Sequence, residues 1–422
     1  MMDMDRFIEE VAAEKDWFRA LLVTGLGWGF VASGVMALSF ALPGIIEEWG
    51  LSGAQGGAVA SKTFFGMLLG ALLGGWMSDR WGRRFVGILL TLLGGVAGVA
   101  CMGAKTPESL GLWRMTAGVS YGGLGPVLFA YLCDFTRRAN RGRILVFLEM
   151  CWAFGSLGMA FWAVGVLSFW GWRGVLAFPV LLGLVALPLW FGPESPRYLF
   201  ARGNREALQK RYGQVPAVME ALPSHPWTDL FRKEFLRRTL VLLFAWGVVS
   251  FGYYALFLWL PKIFASSGIG VVKARWFTLF VMAIQIPGYL LAAWLVERWG
   301  RVRSLAFFFA GTGGASLFFM GVTGSGGFLA AALAVGLFCL GAWGVVYAYT
   351  PELYPTSLRG RASGLSGASA RLAGMGAPMI TGWMLDGYGG VTGVLALVCA
   401  LSLAAAGVVF LWGEETRQRS IG

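Results

Sequence analysis

Charge is scarce in this sequence. Only 13% of its 422 residues are Asp, Glu, Lys or Arg, about half the share of a soluble domain, which argues against a water-soluble enzyme. A single histidine, His225, removes histidine-based metal sites, so no metal or cofactor is expected. The five cysteines (Cys101, Cys133, Cys151, Cys339, Cys399) all sit inside apolar runs. They lack the spacing of a disulfide framework or a zinc site and read as buried packing residues. Strand-like alternation of apolar and polar residues is also missing, which disfavours a β-barrel.

What is present is apolar and small. Hydrophobic residues make up 57%, aromatics 15%, and there are 63 glycines; the mean hydropathy is +0.67. Apolar stretches run at 21–44, 57–78, 86–104, 109–132, 144–168 and 173–192, then at 239–261, 274–296, 304–322, 327–350, 362–385 and 391–412. Each is long enough to cross a bilayer with some tilt. The expected fold is therefore an all-α membrane protein with twelve transmembrane helices, and glycine suits it because small residues let membrane helices approach closely.

A net charge of +12 raises the question of nucleic acid, and the placement of the charges answers it. The first twenty residues are mixed in charge and lack the apolar core and cleavage site of a secretory signal, so the start of the chain is expected in the cytoplasm. From there, every second connection is rich in arginine: Arg80, Arg83 and Arg84; Arg137, Arg138, Arg141 and Arg143; the loop from Arg197 to Arg238; Arg298, Arg301 and Arg303; Arg359 and Arg361; Arg417 and Arg419. The opposite connections hold little beyond Lys105, Arg173, Lys262, Lys273 and Arg275. This is the positive-inside pattern, and it predicts that both termini are cytoplasmic. The excess charge faces anionic lipid; no nucleic-acid partner is expected.

The polar motifs repeat. Gly75-x-x-x-Asp79-Arg80-Trp81-Gly82-Arg83 has a counterpart in Ala293-x-x-x-Glu297-Arg298-Trp299-Gly300-Arg301. Asp134 precedes Arg141-Gly142 as Glu352 precedes Arg359-Gly360, and each pair lies 218 residues apart. Two parallel six-helix repeats are predicted, 1–192 and 237–422, joined by a cytoplasmic loop at 193–236.

These residues carry a resemblance. The Asp79-to-Arg84 signature is similar to the loop between helices two and three of the major facilitator superfamily. Pro193-Glu194-Ser195-Pro196-Arg197, Arg141-Gly142 and Glu352-Leu353-Tyr354-Pro355-Thr356 resemble the branch that holds the sugar porters, the organic-ion transporters and the synaptic-vesicle-two-like proteins with their bacterial niacin-transporter relatives. The helix-five run Phe147 to Ala153 and the run Trp259-Leu260-Pro261 look like the niacin-transporter group. The resemblance implies alternating access and a cytoplasmic gate. In that gate Asp134, Arg141, Glu194 and Arg197 form one cluster, with Glu352, Arg359 and Glu415 as its partner. Asp79 and Glu297 are expected against the positive end of a neighbouring helix, with Arg83 and Arg301 pairing across the seam between the halves. Loop anchoring alone is the plainer reading of the same residues.

Ions at bilayer depth cost at least about 2.5–3.5 kcal/mol on insertion scales, so each needs a reason. Arg114 is similar to a fourth-helix arginine of the superfamily, which is associated with proton coupling or helix contacts; the structural role is favoured here. Lys62 is expected to snorkel along its stem. Glu149, Gln285, Tyr254, Tyr347 and Arg371 fall at positions where the sugar porters place substrate contacts, and Tyr253 adjoins them. Val248, Val249 and Ala370 replace the amide side chains a sugar site would need. Tyrosine faces around the planar fork of Arg371 suit a small aromatic monocarboxylate such as nicotinate. No acid stands in the first helix, where relatives carry one, so proton coupling would fall on Glu149, and uniport stays open. The expected protein is a multi-pass, monomeric transporter of the cell inner membrane and not an enzyme. An organic cation selected by Glu149, a sugar-like solute, and a ligand sensor that moves nothing are the rival readings. Helix contacts alone are the plainer account of Glu149 and Arg371.

Overall fold

The structure is a computed structural model. It describes residues 3–217, 227–266, 268–354 and 356–416, with the side chains at 5, 138–143, 227, 266, 271, 356 and 357 excepted. His225, Pro355, Arg417, Arg419 and the side chain of Arg141 therefore lie outside the described residues. No strand occurs among those described.

The first half holds α1 (Ala13–Trp49), α2 (Gly53–Trp81), α3 (Arg83–Met102), α4 (Pro107–Cys133) and α5 (Arg138–Val175). The short α6 (Pro196–Ala201) and α7 (Arg205–Tyr212) follow. The second half holds α8 (Lys233–Phe257), α9 (Val271–Ala283), α10 (Gln285–Trp299), α11 (Arg301–Gly321), α12 (Gly324–Glu352), α13 (Thr356–Leu385) and α14 (Gly390–Trp412). Among the described residues nine helices are long and apolar enough to cross a membrane by length and composition. α4 and α13 are of similar length but fall outside that set. They are the helices that carry the interior arginines Arg114 and Arg371.

Local chemistry sets the helix ends. Ser52 and Gln55 form a capping box at the start of α2, with Gln55 N donating to Ser52 Oγ at 3.1 Å and Ser52 N to Gln55 Oε1 at 2.8 Å. Thr106 and Ser109 do the same for α4, with Pro107 at its first position. The span expected at 173–192 is not one α-helix. Beyond α5 the chain forms a 3₁₀ segment, Phe178–Val185, and then a short α-helix, Ala186–Trp190. Pro179 and Pro188 lack the amide protons an α-helix needs. Gly183 in turn lies against Gly95, where an added Cβ would stand 2.9 Å from the Gly183 Cα. The span at 274–296 is divided at Ile284, between α9 and α10, just before Pro287.

Glycine governs the packing. An added Cβ at Gly66 would lie 2.0 Å from the Met115 carbonyl oxygen, and one at Gly122 would lie 2.0 Å from that of Met67. The backbones of α2 and α4 thus touch directly, which only glycine permits. α1 and α5 meet in the same way, at Gly29 and Gly155. Between the halves the closest packing is α2 on α13, where Gly57 lies under the Pro378 carbonyl and Gly382 under that of Gly53.

Candidate functional site

Halfway along α1 and α13 the helices part around an aromatic cage. Trp28, Glu149, Trp152, Tyr253, Tyr254, Tyr289, Leu340, Trp343, Tyr347 and Arg371 bound a tight cavity of about 20 Å³, so in this arrangement the rings nearly close on one another. α1 and α5 supply three of these residues; α8, α10, α12 and α13 supply the rest. The rings interlock: Trp28 and Trp152 stand 5.3 Å apart, Tyr253 and Tyr254 5.0 Å, and Trp343 and Tyr347 5.8 Å. Such contacts hold flat faces at fixed angles and leave the polar tips free to act.

An acidic and a basic side chain, Glu149 and Arg371, face this space. Arg371 interacts with the Tyr254 hydroxyl. Glu149 is buried among the same lining residues, with Tyr347, Trp28 and Arg371 around it. Glu149 Oε1, Trp28 Nε1 and Trp343 Nε1 are buried without a hydrogen-bond partner. Buried polar atoms left unpaired are costly, and this lining keeps three of them. Tyr253 is already engaged: its hydroxyl accepts from Trp152 Nε1 at 3.1 Å, a bond between the halves.

Five of the six expected substrate-site residues (Arg371, Glu149, Tyr253, Tyr254 and Tyr347) line the cage. Gln285 is not among the lining residues; it is fully buried, and its amide donates to Met282 Sδ at 3.0 Å. Tyr289, one turn further along α10, lines the cage instead. Arg114 is also elsewhere, donating to Thr63 Oγ1 at 3.1 Å and to the Gly34 carbonyl at 3.0 Å. It stitches α1, α2 and α4 together. Lys62 is exposed, its stem laid along Gly111. Trp28, Trp152, Trp343, Tyr289 and Leu340 were missed by the sequence reading. The signal for Trp343 and Trp152 was their spacing, one turn from Tyr347 and Glu149 on the same helix face.

Two polar clusters mark the end that carries both termini. In the first half, Arg83 approaches Asp79 at 3.2 Å and Asp134 at 3.4 Å, and Arg197 approaches Asp134 at 3.4 Å. Ser195 Oγ donates to Asp134. In the second half, Arg301 meets both oxygens of Glu352 at 2.8 Å and Glu297 at 3.9 Å, while Thr416 Oγ1 donates to Glu352. Arg359 donates to the Tyr354 carbonyl at 3.1 Å.

The acids at the helix starts are not the expected ones. Asp79 and Glu297, with side chains 75% and 78% exposed, stand in the last turns of their own helices. Glu194 instead accepts from Arg84 N at 3.0 Å, and Glu415 accepts from Arg301 N at 2.9 Å and Val302 N at 3.2 Å. These carboxylates occupy the positive N-terminal ends of α3 and α11. Gly82 and Gly300, at φ 99° and 88°, turn the chain there, and a Cβ at either would lie 2.4 Å from the capping carboxylate. Among the described residues, Arg83 joins Asp134 within the first half, Arg197 ties Asp134 to α6, and Arg301 joins Glu352 within the second half.

This all-helical architecture is the fold of solved major facilitator structures. The partially occluded inward-open xylose transporter XylE from E. coli matches with a TM-score of 0.78 at 18% identity, over 96% of this chain and 99% of that chain. The chain belongs to the sugar (and other) transporter family, whose profile matches residues 18–421. Among curated relatives, the niacin transporter NiaP of Acinetobacter baylyi is 33% identical over 100% of this chain and 99% of its own length. The putative niacin/nicotinamide transporter NiaP of Bacillus subtilis is 31% identical over 96% and 97%. A synaptic vesicle 2-related protein of Bos taurus is 28% identical over 98% and 81%. Relatives and fold are those of transporters, not enzymes.

Proposed function

We propose that this protein carries a small aromatic monocarboxylate, nicotinate or a close analogue, across the cell inner membrane by alternating access. The supporting observation is Arg371, a guanidinium facing a cage of tyrosine and tryptophan rings. A planar fork binds a carboxylate by two parallel hydrogen bonds while the rings stack on the flat solute. The names of the two NiaP relatives point the same way. In this reading twelve segments span the bilayer as two bundles, 1–192 and 237–422, joined by 193–236. Both termini face the cytoplasm, as the arginine asymmetry supports. A single chain suffices. Glu149, the acid of the cage, takes the proton if transport is coupled. Asp79, Arg83, Asp134, Arg141, Glu194 and Arg197 gate the cytoplasmic side together with Glu297, Arg301, Glu352, Arg359 and Glu415.

Arg371→Ala tests the carboxylate contact. Its binding of aromatic acids should fall by about a hundredfold, the scale for truncating one partner of a buried charge pair, while the neutral amides lose little. Equal loss of acid and amide overturns the contact. The unpaired Glu149 Oε1 inside the same rings favours one second reading, an organic cation held by carboxylate and π faces. Glu149→Gln separates the two, since it abolishes cation uptake and spares acid binding.

A further inference from the structure

An open groove lies outside the cage, at the corner between α2 and α3 and against α6. Arg80, Trp81, Phe85, Leu89, Tyr198 and Arg202 form most of its lining. At its polar end the Arg202 guanidinium donates to the Arg80 carbonyl and lies 5.6 Å from the Tyr198 ring centroid. The Arg80 guanidinium lies 5.7 Å from the Trp76 ring. Among the described residues neither has a carboxylate partner. Asp79, the nearest acid on α2, faces Arg83 at 3.2 Å. Glu206, on α7, is exposed beside Arg205.

From this pair of arginines an apolar track runs down α3. Phe85, Leu89, Leu92 and Val96 are all exposed and recur at helical spacing along one face of a span that is apolar enough to cross the bilayer. Trp81 is exposed at the junction of the polar end and the track, where an indole with one wet edge belongs.

We propose that this groove binds an anionic phospholipid, with its phosphodiester on Arg80 and Arg202 and one acyl chain along Phe85, Leu89 and Leu92. Charge complementarity selects the head group, and the continuous apolar stripe selects lipid over a soluble phosphate, which would use the arginines alone. Because α6 closes one wall, the lipid bridges the α2–α3 corner to the segment that follows the first half. This site is independent of the solute the cage carries.

Native mass spectrometry of the detergent-purified full chain, titrated with dioleoyl phosphatidylglycerol or dioleoyl phosphatidylcholine, tests the proposal. Phosphatidylglycerol adducts should survive activation on the order of tenfold better, in keeping with the contribution of each basic residue near an anionic surface. The double variant Arg80→Gln/Arg202→Gln should fall to the phosphatidylcholine level, and Arg298→Gln, the matching position in the second half, should not. Equal retention of the two lipids, or equal loss in the Arg298 control, overturns the site. So does displacement by millimolar inorganic phosphate with no dependence on the acyl chain, which makes it a free-phosphate site. Should the double variant misfold, the quenching of fluorescence by vesicles of phosphatidylcholine with 20 mol% brominated phosphatidylglycerol serves instead. The quenched fraction must then shrink in Trp81→Phe, and an unchanged fraction counts against the groove.

Discussion

The two ends of the bundle are held together by different means. At the end that carries the termini, the pairs of Arg83 with Asp134 and Arg301 with Glu352 each join helices of one half. At the far end the hydrogen bonds cross between halves. The carboxylate of Asp386, just beyond α13, accepts from Gly53 N at 2.7 Å and Ala54 N at 2.8 Å. Ser61 Oγ donates to the Met375 carbonyl, and Ser39 Oγ to that of Phe257, both at 2.6 Å. One end is thus sealed by short neutral and helix-end contacts between glycine-lined backbones, while the other keeps its strong charges inside rigid blocks. The far-end bonds can be exchanged singly at about 1 kcal/mol each, whereas breaking a buried charged pair costs more.

Prying open the sealed end should have the largest effect. A Cβ at Gly57 would lie 2.4 Å from the Pro378 carbonyl oxygen and 2.8 Å from the Met379 Cα. Both are backbone atoms, so Gly57→Val must separate α2 from α13, at a cost of about 1–3 kcal/mol or more. Amide hydrogen exchange over residues 53–61 should accelerate by at least about tenfold, since each 1.4 kcal/mol corresponds to a factor of ten. Unchanged exchange would mean that this seam does not hold the far end.

Next come the two charged blocks, which are similar in sequence and unequal in geometry. Arg301 grips Glu352 with both arms at 2.8 Å, while Arg83 reaches Asp79 and Asp134 at 3.2 and 3.4 Å. Arg301→Ala should therefore lower the thermal midpoint more than Arg83→Ala, by about 2–3 against about 1 kcal/mol of stability. A reversed order would show that the neighbours of Asp134, Arg197 and Ser195, make the first block the stronger one.

Sequence legibility follows the same division between local and distant chemistry. Nine of the apolar spans and the 218-residue motif spacing were readable, because periodicity and motif spacing are local properties. So was the grouping of Glu149, Tyr254, Tyr347 and Arg371, through family positions. Gln285 failed for a geometric reason. Tyr289 stands four residues beyond Gln285 on the same helix face, so the cage lies one turn further along α10 than the matching count places it. The roles of Glu194 and Glu415 were hidden because a helix N-terminus is capped by whatever the fold returns to it, and these acids stand 110 and 114 residues from the amides of Arg84 and Arg301 that they accept from. The bonds across the far end, Asp386 to α2 above all, join segments that no single-sequence pattern places together.

Smaller effects refine the contrast. Asp386→Asn keeps the shape of the far-end cap and removes its charge. It should weaken that contact by about 1 kcal/mol, the scale of an anion at a helix start, and speed exchange at Gly53 and Ala54 without disturbing either charged block. Exchange that stays slow would assign the seal to the glycine packing alone.

Asp79→Asn should have the smallest effect on stability, and it is the most informative of the set. Its carboxylate is 75% exposed and touches Arg83 four residues on, at 3.2 Å. Exposed pairs of this kind contribute about 0–1 kcal/mol, so the thermal midpoint should barely move, and likewise for Glu297→Gln. Transport is a separate measurement. An acid with so little to do in this arrangement has a reason to stand in the repeated motif only if it meets a partner when the termini end closes and the two blocks come together. Proteoliposome flux that falls severalfold in Asp79→Asn, with melting unchanged, would place its interaction in that other arrangement. Flux and melting that both stay at wild-type values would reduce the repeated acid to an anchor of its own loop.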